Sequence, residues 1–287
     1  MREEFAGSGI FIMSCSNCNT QCKHCYISYK GNFDGDELYN LCKILIKRYR
    51  VFLNGTEVLI HPEYFKTMKL IRQKSLLTNG IEINRKPSII PQLVDIGIEY
   101  IGSSYHFGIH DEISSVNPKI VEENIKPLRE YGIGTDLRVT INSKNYHLVR
   151  EMCDGAYRMG ARGIKFTNYM LMGRAVNLDK SNILTDEQLQ TFFKLLNESR
   201  KKYSKDELLI RRCGSFGYSE ASNFYCPACE DAVTITPSLK VYPCNFLVKE
   251  GMEIGYVENG KVIITRKLER VPKMCLAREI NNNDFKL

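Results

Sequence analysis

Eleven cysteines carry most of the chemistry open to this chain, and they are unevenly placed. Cys15, Cys18, Cys22 and Cys25 share one short stretch near the start. Cys213, Cys226, Cys229, Cys244 and Cys275 lie toward the end, and only Cys42 and Cys153 fall between. Cys18-x3-Cys22-x2-Cys25 sets three thiolates on one loop. Three thiolates can hold three irons of a cubane and leave the fourth iron open. Zinc is the alternative, with His24 or Cys15 closing a tetrahedron. Cys226-x2-Cys229, followed by Cys244 and Cys275, supplies four thiolates, enough to close a zinc site or an iron–sulfur cluster. Cys213 follows Arg211 and Arg212, whose positive charge favours a thiolate. Cys42 and Cys153 sit in helical patterns and read as small core hydrophobes.

Composition narrows the classes. The chain has 287 residues, 43% hydrophobic and 25% charged, a globular mix that can bury a core. Its length suggests about two domains. No apolar run reaches the roughly 18 residues of a membrane helix. The N-terminus has two acids and no hydrophobic stretch with a small-residue cleavage site, so no signal peptide is expected and the chain is placed in the cytoplasm. A reducing compartment and a chain of this size argue against a disulfide framework. The formal charge of +7 permits an anionic partner without requiring one.

The residues between the two cysteine groups must position them. Strand-like runs at 9–14, 51–54, 75–78, 100–104, 137–142 and 163–167 alternate with helical patterns at 35–49, 62–74, 87–96, 119–131, 145–159 and 185–203. The last opens with a capping box, Thr185 to Gln188. Such alternation predicts parallel βαβ units. The fold expected is α/β: a partial (β/α)6 TIM-like barrel over residues 1–205, with ligands at the C-terminal ends of its strands. After residue 203 the texture changes to short β runs at 208–212, 232–236, 240–242, 253–257 and 261–265. The last two flank Asn259-Gly260, a hairpin turn signal. Residues 206–287 are therefore expected to form a small β-rich domain.

The stretch ending Cys22-Lys23-His24-Cys25-Tyr26 resembles the radical S-adenosylmethionine (radical SAM) superfamily. Further segments resemble that family in order. Asn54-Gly55-Thr56-Glu57-Val58 is similar to its Gly-Gly-Glu-Pro motif, with Thr56 for the second glycine and Val58 for the proline. Leu77-Thr78-Asn79-Gly80 and Ser103-Ser104-Tyr105-His106 resemble the ends of the third and fourth strands. Arg138-Val139-Thr140-Ile141-Asn142 resembles the fifth strand, and Met172-Gly173-Arg174-Ala175 a turn after the sixth. The similarity covers residues 8–205. It implies a [4Fe-4S] cluster on Cys18, Cys22 and Cys25, and SAM against Gly55, Thr56, Glu57, Asn79, Ser104, Arg138 and Asn142. Arg138 would meet the SAM carboxylate. Thr234–Cys244 resembles the hairpin of SPASM and twitch auxiliary-cluster domains, with Leu239 where glycine is usual. That implies one auxiliary [4Fe-4S] cluster on Cys226, Cys229, Cys244 and Cys275.

The function implied is reductive cleavage of SAM, with a 5′-deoxyadenosyl radical taking a hydrogen atom from a peptide or natural-product precursor. Epimerisation, thioether formation and crosslinking are the outcomes considered; Cys213 is the candidate hydrogen donor for the first, with a cluster ligand or a core residue as the alternatives. Flavodoxin or ferredoxin is the implied reductant. Only seventeen residues precede Cys18, so no fused leader-peptide domain is expected, which counts against a peptide. A carbohydrate or aminocyclitol dehydrogenase or epimerase is the alternative enzyme. A zinc-binding, nucleic-acid-associated protein is the alternative class, disfavoured because the basic residues are scattered rather than clustered.

Overall fold

The computed structural model describes residues 2–216, 226–267 and 275–277. Segments 217–225, 268–274 and 278–287 of the expected C-terminal domain lie outside the described residues. By contacts the chain divides into two compact units. One comprises Met1–Asn19, Ile27–Gln73 and Gly217–Leu287; the other comprises Thr20–Tyr26 and Lys74–Phe216.

In chain order the strands are β1 (Glu3–Glu4), β2 (Gly9–Met13), β3 (Arg50–Asn54), β4 (Ser75–Thr78), β5 (Tyr100–Ser104), β6 (Gly134–Ile141), β7 (Gly163–Asn168), β8 (Leu209–Arg212), β9 (Ala232–Ile235), β10 (Lys240–Tyr242), β11 (Gly255–Glu258) and β12 (Lys261–Ile264). The α-helices are α1 (Gly35–Leu45), α2 (Phe65–Leu70), α3 (Ile81–Arg85), α4 (Ile89–Ile96), α5 (His110–Ile113), α6 (Pro118–Glu130), α7 (Val149–Arg158) and α8 (Asp186–Lys202).

The second unit is built on a parallel sheet ordered β4-β5-β6-β7-β8, curled into a half-barrel. Its strands alternate with helices because apolar residues recur at period two in the strands and on one face of each helix. Leu137, Val139, Ile141, Ile164, Phe166 and Ile210 form one core with Val149, Met152 and Cys153 of α7 and Phe192 and Leu196 of α8. The Thr185–Gln188 capping box starts α8 as expected.

The first unit holds a mixed sheet, β1-β12-β11-β10-β9-β2-β3. β2 lies between parallel partners β3 and β9, so Ile10, Ile12, Val233 and Ile235 are fully buried. The β11–β12 hairpin turns at Asn259 and Gly260, both left-handed at φ 51° and 73°, as a two-residue hairpin requires.

Two strands lie elsewhere than the sequence suggested. Residues 209–212 belong to the parallel sheet, with β8 following α8 to pair beside β7. Its two arginines disguise a barrel strand. Residues 232–235 extend the sheet of β2 and β3 in parallel register. The contact boundaries accordingly do not fall at 205/206. The six expected strands are also shared between two sheets. At the edge of β3, the buried Gln73 side chain accepts from Leu53 N–H at 2.8 Å and donates to Leu53 C=O at 3.0 Å. The amide thus satisfies the backbone groups that a next strand would take.

Candidate active site

At the end of β2, the Cys15 carbonyl ties two loops of the first unit together. It accepts from Thr56 N–H at 3.0 Å, from the Thr56 hydroxyl at 3.1 Å and from the Tyr29 hydroxyl. Thr56, the departure from a second glycine, therefore adds a side-chain anchor. Gly55 is needed beside it, because a Cβ there would come within 2.6 Å of Cys15 Sγ. Cys15 itself is buried, and desolvation raises its thiol pKa. Glu57 is fully buried, and its carboxylate accepts from Leu59 N–H at 3.3 Å, holding the turn Val58–Ile60.

Cys18 closes the Met1–Asn19 stretch; Cys22 and Cys25 lie in Thr20–Tyr26 of the second unit. All three are partly accessible. Ser115 N–H donates to Cys22 Sγ at 3.3 Å, and the Ser114 hydroxyl lies 3.7 Å from the same sulfur. Lys23 N–H and His24 Nδ1–H both donate to Ile113 C=O, at 2.8 and 2.9 Å. The Gly173–Arg174 turn clasps the other end. Arg174 N–H donates to Cys25 C=O at 2.8 Å, and a Cβ on Gly173 would fall 2.4 Å from the Tyr26 carbonyl carbon.

Three imidazoles back this loop. His24 meets His106 edge to face at 4.5 Å between ring centres, and His110 follows at 5.4 Å. His106 Nδ1 accepts from Thr140 N–H at 3.0 Å, so its proton sits on Nε2. His110 Nδ1 accepts from His106 N–H and its Nε2–H donates to Val116 C=O. Burial holds His106 well below the usual imidazole range, and the neighbouring histidines add to that shift. Burial likewise lowers His110. Segment 103–106 marked this place in sequence. The partnership of His24 with His106 and His110 had no local signal.

The remaining expected SAM residues fall at strand ends of the second unit. Asn79 Oδ1 accepts from Ile81 N–H at 3.0 Å and shapes the turn after β4. Ser104 ends β5, opposite Arg138 of β6. Arg138 lies over Gly102, where a Cβ would be 2.6 Å from its Nε. Burial lowers its pKa, partly offset by Asp136. Asn142 is buried and its Oδ1 accepts from Lys144 N–H at 2.9 Å, which commits that atom to a turn. Cys213 directly follows β8, and its N–H donates to Phe166 C=O at 2.7 Å.

The second cysteine group lies in the first unit. Cys229 is left-handed at φ 69°, and its N–H donates to Ala232 C=O at 3.0 Å while Ala232 N–H donates to Pro227 C=O at 2.9 Å, which folds Pro227–Ala232 into a tight turn. Desolvation raises Cys244 well above the usual thiol value, and Cys275 and Cys226 add to the rise. Desolvation pushes Cys229 up to about 12, again with a contribution from Cys226. Cys226 thus lies within electrostatic reach of Cys229 and Cys244, and Cys275 within reach of Cys244. Among the described residues no three His, Cys, Asp or Glu side chains converge on a single-ion site; a cubane spreads its thiolates over four irons and needs no such convergence. Cys42 and Cys153 are fully buried, with thiols pushed up to about 12 by desolvation, as expected of core residues.

No protein-family profile and no curated protein sequence matches the chain. Solved structures share its fold. SuiB of Streptococcus suis bound to precursor peptide SuiA superposes with a TM-score of 0.69 at 13% identity, over 85% of this chain and 61% of that one. SuiB bound to S-adenosylmethionine gives 0.67 at 15% identity, over 86% and 62%. The structure of anSMEcpe with bound AdoMet and Cp18Cys peptide gives 0.68 at 16%, over 88% and 78%. The chain therefore spans about three fifths of SuiB. What they share is the α/β half-barrel with additional strands. Among the described residues no helix is long and apolar enough to cross a membrane.

Proposed function

We propose that this chain is a radical SAM enzyme acting on a peptide. The reading rests on one observation above the rest: a Cys18-x3-Cys22-x2-Cys25 loop after β2, on a fold shared with structures holding S-adenosylmethionine and peptides. Cys18, Cys22 and Cys25 would hold a [4Fe-4S] cluster, and Cys226, Cys229, Cys244 and Cys275 an auxiliary one. When bound, the first supplies one-electron cleavage of SAM to a 5′-deoxyadenosyl radical that takes a hydrogen atom from substrate.

The chain's own residues set the stage for that chemistry. Ser115 N–H and the Ser114 hydroxyl orient Cys22 Sγ. The Gly173–Arg174 turn holds the Cys25 carbonyl. Gly55 and Thr56 fix the loop proposed to meet the SAM amino group, Glu57 supports it from beneath, and Asn79, Ser104, Arg138 and Asn142 complete the cosubstrate set, with Arg138 taking the carboxylate. Cys213 is proposed as hydrogen donor. Its thiol hydrogen would pass to a substrate carbon radical, and one electron and one proton from an external reductant such as flavodoxin or ferredoxin would restore the sulfur. A cytoplasmic setting suits that supply.

Anaerobic purification tests the reading. Brown protein with roughly eight iron and eight sulfide is expected for two cubanes, forming 5′-deoxyadenosine from SAM and dithionite. Cys22→Ala should abolish that product. Colourless, zinc-loaded protein, or iron-loaded protein that leaves SAM intact, would overturn it.

A further inference from the structure

The face of the parallel sheet turned away from the helices carries cations abreast. Leu137, Val139, Ile164, Phe166 and Ile210 point to the helices, so the alternate residues Arg138, Lys165 and Arg211 point the other way. Register places Arg138 opposite Lys165 and Lys165 opposite Arg211. Like charges directly opposite each other on neighbouring strands destabilise a sheet, so this row calls for a compensating anion.

Asp136 is a partial answer. It is fully buried, and Arg162 takes both its oxygens, at 3.1 and 3.0 Å. Arg211 Nη2 also bonds Oδ2. Arg138 Nη2 stands 4.0 Å from Oδ2, and the Nε atoms of Arg138 and Arg211 are buried without a partner. Three arginines thus share one carboxylate. Lys165 is half-buried and makes no ion pair or side-chain hydrogen bond to the described residues. Burial and the repulsion of Arg138 and Arg211 lower its pKa, while Cys213 and Tyr100 act the other way. Cys213, two residues beyond Arg211, shares this face one step toward the strand ends.

We infer that Lys165, with Arg211 beside it, binds a carboxylate of the substrate and seats the neighbouring substrate atoms next to Cys213. This rests on the reading of the chain as a peptide-directed radical SAM enzyme, in which SAM's own carboxylate belongs to Arg138. The compact ammonium of a lysine suits a single carboxylate. That carboxylate is an acidic side chain or a peptide C-terminus.

Three probes separate these sources: N-acetylglutamate α-amide (side-chain acid), N-acetylglutamine (terminal acid) and N-acetylglutamine α-amide (neither). Anaerobic, iron-loaded full chain with SAM is labelled with an N-hydroxysuccinimide ester, and Lys165 is followed by peptide mass spectrometry. Exposed Lys119 serves as control. Acid bound at Lys165 should slow its labelling roughly tenfold relative to the diamide, the scale of one charge-assisted hydrogen bond, with Lys119 unchanged. In Lys165→Gln, saturation-transfer NMR signals of the acids should fall to the diamide level while circular dichroism stays native. Labelling at one rate with all probes would overturn the inference, as would complete protection by SAM alone. Release of 5′-deoxyadenosine is read separately, so failure of the radical SAM reading would show there.

Discussion

A methyl group on Gly173 would strike the Tyr26 carbonyl carbon and the Cys25 carbonyl oxygen, at 2.4 and 2.5 Å, and neither backbone atom can swing aside. Gly173→Ala should lower stability by about 1–3 kcal/mol and displace the cysteine loop. Thermal unfolding beside a 5′-deoxyadenosine assay checks both effects. Leu239 has the opposite problem, a side chain held left-handed at φ 58°, a conformation that favours glycine. Leu239→Gly should add about 1 kcal/mol, read by chemical denaturation. His106 gives a pH signature. Its folded pKa is lowered by burial, so the unfolded chain takes up a proton near pH 6.5 that the folded chain refuses. Stability present above that pH is lost as pH falls through it. His106→Gln, which takes no proton, should flatten the stability profile between about pH 7 and 5. The cysteine spacing, the Thr185 cap and the Asn259-Gly260 turn could be read from sequence because each is written within a few residues. Lys165 and His106 could not, since their meaning comes from neighbours on other strands.

Among the elements, β3 depends on an amide. Gln73 occupies both the N–H and the C=O of Leu53. Gln73→Leu would leave those backbone groups without a partner, at about 1–3 kcal/mol for each if buried. Urea unfolding should show that loss, with Gln73→Glu intermediate because its carboxylate keeps the acceptor for Leu53 N–H. Most βα units were evident from alternating patterns. The run at 208–212 read as a strand but not as a barrel strand, because Arg211 and Arg212 break the apolar pattern that marks its neighbours. Each arginine has its own reason to be there. Arg212 lies over the Phe193 ring of α8 at 5.2 Å, and Arg211 reaches Asp136. A strand facing helices on one side and a charged interior on the other does not read as continuously hydrophobic.

For the whole molecule, the division into two units does not follow the order of the sequence. The first unit draws on the start, the early middle and the end of the chain. Texture along a sequence cannot reveal such a split, because β9 looks like the opening of a separate module until its parallel register with β2 is known. That register shapes synthesis as well as architecture. A strand made among the first residues waits for one of its two neighbours until most of the chain has left the ribosome. Meanwhile its free edge, carrying Ile10 and Ile12, is a template for pairing with other chains. Ending the chain at residue 225 should therefore yield aggregating protein rather than a smaller soluble barrel, as fractionation after expression would show. Cys226, Cys229 and Cys244 are made together with the strands that relieve this exposure, so the late cysteines and the cover for the early edge arrive in one stretch of synthesis.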